Sequence, residues 1–275
     1  MPYDPDLYKG AAPYYARGRA PYSADLVKTL AAEVGFDGAG RLLDVGCGPG
    51  TLALELAGHF EEAVGLDPDA EMLAEASRRA AECGVGNIRW VRALAEDLAG
   101  LDLGRFKLVT FGQSFHWTDQ QRVAEMVFDI LEPGGALALI AHRRGARLRQ
   151  VGPGYPPFPD EAIRAVIARY LGNCTRAGQG FAPPLRNRWR DTLARTRFGG
   201  PEEILREGRS DIVRDIEGVL AFYLSTSFAA PHLFGDRLER FKADLRADLA
   251  SRSPSGLFWE WPGDTEILLA RKPCW

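Results

Sequence analysis

The sequence predicts an α/β fold, a doubly wound and mostly parallel sheet carrying a helical insertion, on three observations. Between Leu26 and His142, short apolar runs alternate with segments whose apolar residues recur at helical spacing. The changeovers carry turn signals such as Gly-Cys-Gly-Pro-Gly at 46–50 and Glu-Pro-Gly-Gly at 132–135. After His142 the alternation stops, and a basic stretch rich in Gly and Pro leads into further helical stripes. Strands alternating with helices at this spacing imply right-handed crossovers and helices on both faces of the sheet.

Leu26, Val27, Leu30, Ala31 and Val34 make the stripe of a helix over Tyr22 to Val34, with Ser23 as its N-cap. Arg41 to Val45 is the first strand, and the run from Thr51 to Phe60 after the glycines is helical. Ala63 to Asp67 is the second strand, followed by a helix through Met72, Leu73 and Ala76 to Cys83. Asn87 to Ala93 and Leu108 to Gln113 are the third and fourth strands, the fourth apolar until its end as a strand buried on both faces should be. Thr118 opens a helix through a Thr-x-x-Gln capping box, with Val123, Met126, Val127, Ile130 and Leu131 on one face. Glu132 to Gly135 stops it, and Ala136 to His142 is the fifth strand. Stripes at Ile163–Leu171, Ile216–Leu224 and Leu238–Leu249 form the insertion, and the tail reads as a hairpin around Pro262-Gly263-Asp264. The division is then an N-terminal segment and helix (1–38), a core with the glycine loop (39–142), a helical insertion (143–250) and a C-terminal hairpin (251–275).

Composition narrows the function class. No apolar run approaches the ~20 residues that span a bilayer, and the first residues lack a secretory signal, so a cytoplasmic protein is expected. Four cysteines without a CxxC pair suit reduced thiols and no structural metal. Arg143 to Arg197 holds twelve arginines against three acids. Such a segment marks either an anionic partner or a solvated, internally paired face.

Gly46-x-Gly48-x-Gly50 joins a strand to a helix, bringing backbone amides close to a ligand. The spacing is not that of the dinucleotide fingerprint, and Asp44 stands two positions before the first glycine, where a pyrophosphate would be repelled. A ligand with a cationic end is favoured, and S-adenosylmethionine, with a sulfonium and an ammonium, meets that requirement. Asp67 at the end of the second strand suits the ribose hydroxyls. The competing readings are a carboxylate capping nearby amides for Asp44 and a turn acid for Asp67.

LLDVGCGPG, GLDPDAEML, the FHW after the fourth strand and LEPGG resemble the class I S-adenosylmethionine-dependent methyltransferases, especially the small-molecule group with ubiquinone/menaquinone-type and trans-aconitate-like members. The resemblance covers roughly Tyr14 to His142. It implies a Rossmann-like, seven-stranded sheet, with the tail hairpin supplying the last two strands and an antiparallel edge. It also implies that Gly46, Gly48 and Gly50 line the methionine half of the cofactor, that Asp67 holds the ribose and that Met72 lies on the adenine, although core packing explains Met72 equally. The adenine amine falls to Glu96 or to the backbone around Ala95, and Tyr15 and Arg19 fold over the cofactor to meet its carboxylate.

Gln113 to Trp117 lies at the carboxyl end of the fourth strand, where open sheets bind ligands. Gln113 is assigned to the cofactor, and Phe115 and Trp117 to the sulfonium or the acceptor. His116 is the candidate base, the one side chain there that ordinarily titrates near neutrality. The rival role is a wall residue that merely hydrogen-bonds a neighbour. Tyr155, Phe158, Tyr170, Phe181, Trp189, Phe222 and Tyr223 are candidate walls of an acceptor pocket in the insertion, with Tyr155 and Phe222 foremost. The expected activity is methyl transfer to an O or N atom of a small, possibly anionic acceptor, with a carboxylate second. Alternatives are an RNA methyltransferase, disfavoured by the overall pI of about 5.9, and a non-catalytic cofactor-binding regulator. A homo-oligomer is left open.

Overall fold

The computed structural model describes residues 4–143, 154–173, 176–177, 180–181 and 188–274. The chain begins with a strap whose helix α1 (Ala12–Gly18) has Pro13 in its first turn. Helix α2 (Leu26–Val34) follows, and its start corrects the expected Ser23 cap. The Ser23 hydroxyl accepts from the Asp25 amide in a turn, and the Ser23 amide is anchored on Thr265 Oγ1 at 2.7 Å.

Five parallel strands then alternate with helices: β1 (Arg41–Val45), α3 (Thr51–Leu56), β2 (Glu62–Asp67), α4 (Ala70–Cys83), β3 (Ile88–Arg92), β4 (Phe106–Gly112), α5 (Gln120–Ile130) and β5 (Leu131–Arg143). Asp119, not Thr118, caps α5 by accepting from the Arg122 amide, because the Thr118 hydroxyl donates to the Phe115 carbonyl. The insertion contains α6 (Asp160–Leu171), the two-residue strands β6 (Arg176–Ala177) and β7 (Gly180–Phe181), α7 (Arg188–Ala194), β8 (Glu202–Arg206), β9 (Ile212–Asp215), α8 (Ile216–Leu224) and α9 (Leu238–Arg252). Strands β10 (Leu257–Glu260) and β11 (Asp264–Arg271) close the chain.

The main sheet has the order β3-β2-β1-β4-β5-β11-β8, with β11 antiparallel to both neighbours. Seven strands and one antiparallel member match the expectation, but the seventh strand is not the first half of the tail hairpin. β10 pairs with β9 in a separate two-stranded sheet, and β8, from inside the insertion, takes the outer edge. The antiparallel strand is thus second from the edge. Its full length lies on β5, Asp264 opposite Arg143 through Arg271 opposite Ala136, leaving its other side to β8. Glu202, Glu203 and Arg206 give that edge the charged character that discourages further pairing.

Three cores result. One sheet face packs with α5 and α7, the other with α2 and α3, and α6, α8 and α9 enclose a separate core around Phe234, Phe241 and Leu245. Among the described residues no helix is long and apolar enough to cross a membrane, and no three His, Cys, Asp or Glu side chains are grouped to hold a metal.

Candidate active site

Parallel register decides what reaches the carboxyl edge of the sheet. Val45 pairs with Leu66, so Asp67 stands one residue past that level, whereas Asp44 pairs with Gly65 on one side and Thr110 on the other. A cavity of about 410 Å³ opens at this edge, within the range of small-ligand sites. Gly46, Gly48, Asp67, Met72, Ala95, Glu96, Gln113, Trp117 and Tyr15 all line it, so nine of the expected site residues converge on one space.

The glycine loop works by close approach. Gly46 has φ of +64°, and a Cβ there would fall 2.5 Å from Ser114 Cβ, whose hydroxyl donates to the Val45 carbonyl. Gly50, at φ +77°, does not line the cavity: a Cβ would meet Trp90 at 2.8 Å, so this glycine admits the indole against the start of α3. Asp67 bridges the two loops, Oδ2 accepting from the Gly48 amide at 2.8 Å and Oδ1 from the Asp69 amide at 2.9 Å. Burial pushes its carboxyl up to about 6.

Asp44 is corrected. It is 1% exposed and does not line the cavity; Oδ1 accepts from the Thr110 hydroxyl at 2.8 Å and Oδ2 from the Ala53 amide at 3.2 Å. It caps α3 from the neighbouring strand, and burial pushes its carboxyl up to about 7. The charge it was expected to present at the ligand is instead spent inside the sheet.

Glu96 has one oxygen committed to the Asp119 amide at 2.8 Å, tying this wall of the cavity to the start of α5. Gln113 holds φ of +56°, a left-handed conformation that costs a side-chain-bearing residue about 1 kcal/mol, with its amide donating to Ile140.

The Phe-His-Trp turn sends its residues three ways. Trp117 lines the cavity. Phe115 is fully buried against Phe111 and Trp189 and meets no ligand, since the turn points its ring into the core below the sheet edge. His116 lies outside the cavity lining, its ring stacked on Trp189 of α7 at 6.2 Å and 12°, and its buried Nδ1 has no partner among the described residues. Burial and then the Arg19 charge push it down to about 4, so the ordinary titration on which the base assignment leaned is lost. Arg19 is likewise outside the lining. Its Nη2 donates to the Ser225 carbonyl at 2.6 Å, its guanidinium covers the Tyr15 ring at 4.7 Å, and its Nε is buried without a partner among the described residues.

The expected acceptor walls do not meet this cavity. Phe222 packs on Phe158 and Tyr223 within the insertion core, Tyr155 is exposed, and Tyr170 bonds Asp244. The Phe181 side chain lies outside the described residues. The sequence analysis missed Leu7 and Tyr8, which also line the cavity; Tyr8 stands edge-on to both Tyr15 and Trp117 at 6.3 Å. Their signal was no more than a Leu-Tyr pair among acids and prolines near the start of the sequence.

The residues present fit S-adenosylmethionine. Asp67 offers carboxylate oxygens for ribose hydroxyls, Met72, Leu94 and Ala95 an apolar wall for adenine, and the Gly46–Gly48 backbone close approach for the amino-acid portion.

Comparison with known proteins agrees. A methyltransferase domain model matches residues 42–135. A probable S-adenosylmethionine-dependent methyltransferase, CRG1, of Saccharomyces cerevisiae is 31% identical over 98 residues, 35% of this chain and 34% of its own. A ubiquinone biosynthesis O-methyltransferase of Psychrobacter cryohalolentis is 33% identical over 131 residues, 47% of this chain and 50% of its own. The chain thus spans half or less of the length of these relatives. Two solved structures share the fold over nearly the whole chain. The [4+2]-cyclase SpnF has a TM-score of 0.55 at 20% identity, covering 98% of this chain and 95% of that one. A putative type II methyltransferase of Anaeromyxobacter dehalogenans has 0.53 at 21%, covering 93% and 98%. Residues 42–135, with the cavity they help build, thus match a methyltransferase domain and are similar to S-adenosylmethionine-dependent methyltransferases.

Proposed function

We propose that this protein transfers the methyl group of S-adenosylmethionine to an oxygen or nitrogen of a small molecule. The observation that carries this is Asp67, placed one residue past the sheet level, bonded to the Gly48 amide and facing a cavity roofed by Tyr8, Tyr15 and Trp117. When bound, the cofactor supplies an electrophilic methyl carbon on a sulfonium. The chain's own part is to hold the adenosyl half on Asp67 and Met72, exclude water with the aromatic roof and align the acceptor. His116, neutral near pH 7 and packed between Trp117 and Trp189 outside the cavity lining, is proposed to support the Trp117 wall from behind and to take no proton from the acceptor. The Arg19 charge beside it favours a neutral or anionic acceptor over a cationic one.

Incubation with methyl-labelled cofactor and a metabolite extract, followed by identification of the labelled product, tests the proposal. Calorimetry with S-adenosylmethionine and NAD tests the cofactor half alone. A cofactor-binding protein without transfer chemistry is the second reading, favoured by the fold shared with the [4+2]-cyclase SpnF; it predicts binding heat but no labelled product. RNA as acceptor is not favoured, because Arg143, Arg190 and Arg197 of the basic segment are paired with Glu203 and Glu266, Glu203, and Glu125 and Asp129.

A further inference from the structure

The strap is held unequally by its two neighbours. Toward the sheet its hydrogen bonds among the described residues are scattered, Gly10 amide to Glu71 Oε2 at 3.0 Å, the Tyr8 hydroxyl with Trp117 and, at the joint, the Ala20 carbonyl with His142 Nε2 at 3.3 Å, beside a small apolar contact of Ala11 and Ala12 with Met72. The rest of that side is the cavity wall formed by Leu7, Tyr8 and Tyr15.

Toward the insertion the hold is firm. Arg17 pairs with Asp215 at 2.7 Å, Arg214 Nη1 donates to the Arg17 carbonyl at 2.6 Å, and Arg19 Nη2 donates to the Ser225 carbonyl. Gly18 lies flat on α8, where a Cβ would collide with the Ala221 carbonyl. Tyr14 packs into the insertion core beneath Lys242, so consecutive tyrosines face opposite ways, Tyr14 into the insertion and Tyr15 into the cavity. Arg214 is itself fixed by a buried pair with Glu260 at 2.5 Å.

We infer that the strap belongs mechanically to the body of α6, α8 and α9, and that a ligand in the cavity completes the thin strap–sheet boundary, seating this body and the strap together. This rests on the cofactor assignment above. The insertion body has its own core, separate from those of the sheet, as a unit that shifts without unfolding requires. The joint lies at Ala20–Pro21, because Tyr22 is stacked on His142 at 4.8 Å and Ser23 is bonded to Thr265. The device makes the cofactor an ordering ligand for a region where none of residues 212–224 touches the cavity.

Hydrogen exchange of the full chain with saturating S-adenosylhomocysteine tests it. Expected is slowed exchange in 12–18 and also in 212–224, by about threefold or more. Slowing confined to the cavity-lining segments, with 212–224 unchanged, overturns the inference. In Gly18→Ala, where the new Cβ wedges the strap off α8, and in the milder Arg17→Ala, ligand still slows exchange in the strap while the effect on 212–224 falls by at least half. Full retention of the remote effect in Arg17→Ala together with Gly18→Ala, or in Arg17→Ala alone if the glycine variant does not fold, overturns it too. Calorimetry on the same samples separates the two levels: heat without remote slowing sinks only this inference, whereas no heat sinks the cofactor assignment and this inference with it.

Discussion

Asp44 and Asp67 sit near the ends of adjacent parallel strands, both buried, both accepting two hydrogen bonds, yet they do different work. One stops short of the sheet's edge and knits β1 to β4 and α3; the other passes it and faces a cavity. Two residues of register separate an acid enclosed in the sheet from one that faces the cavity. In a pleated sheet a carboxylate's role follows from how far along the strand it stands, more than from the motif it belongs to.

The largest effect expected is on binding. Asp67→Ala removes the acceptor for the ribose hydroxyls and should weaken S-adenosylmethionine by about 100-fold, as charge-assisted hydrogen bonds of about 1.5–3 kcal/mol would give. Asp44→Ala should change the calorimetric affinity by less than about threefold. Equal losses in the two variants would erase the distinction.

Stability should show the reverse. Asp44→Ala leaves the Ala53 amide and the Thr110 hydroxyl unsatisfied in the core and should cost about 2–3 kcal/mol in urea unfolding. A surface-like loss under about 0.5 kcal/mol would show that the acid is not the clamp described.

pH sharpens the comparison further. With its carboxyl near 6, Asp67 takes up a proton as pH falls from 7 to 5, so cofactor affinity should drop across that window. Asp44, raised to about 7 against an unfolded value near 3.9, binds protons more readily folded than unfolded. Its stabilising contribution is present below the unfolded value and is lost as pH rises through 7. The stability advantage of wild type over Asp44→Asn should therefore shrink between pH 5 and 8; a constant gap would mean that burial does not perturb this carboxyl.

The smallest effect expected is at His116. Replacement by Ala should lower turnover by no more than about tenfold, through looser packing behind Trp117, with cofactor affinity unchanged. With its pKa near 4, the rate should show no inflection at 6.5 from this residue. A loss above a thousandfold, or a clear limb at 6.5, would restore it as a proton-storing base.

Local signals were legible. Strands β1 to β5, the helices between them and the stripes of α6, α8 and α9 all follow from periodicity and turn residues within a dozen positions. Asp67, Gln113 and Trp117 were legible too, because the carboxyl ends of parallel strands collect ligand-facing residues whatever the family, whereas Met72, in the first turn of α4, came from the resemblance. What escaped depends on distant partners. β8 reads as Glu-Glu-Ile-Leu-Arg, too polar to announce a strand, and becomes one only against β11, some sixty residues later. Tyr8 gains its place only when the strap is folded back by Asp215 and Ser225, about two hundred residues away.

The sequence by itself determined the order of strands and helices, the glycine loop and the acid that ends the second strand, since these rest on backbone conformation and on side chains a few positions apart. Tertiary structure alone decided that Asp44 turns inward, that Phe115 is core, that His116 loses its basicity and that the strap rides on the insertion. Burial, register and the nearness of Arg19 are properties of packed neighbours, and no window of consecutive residues contains them.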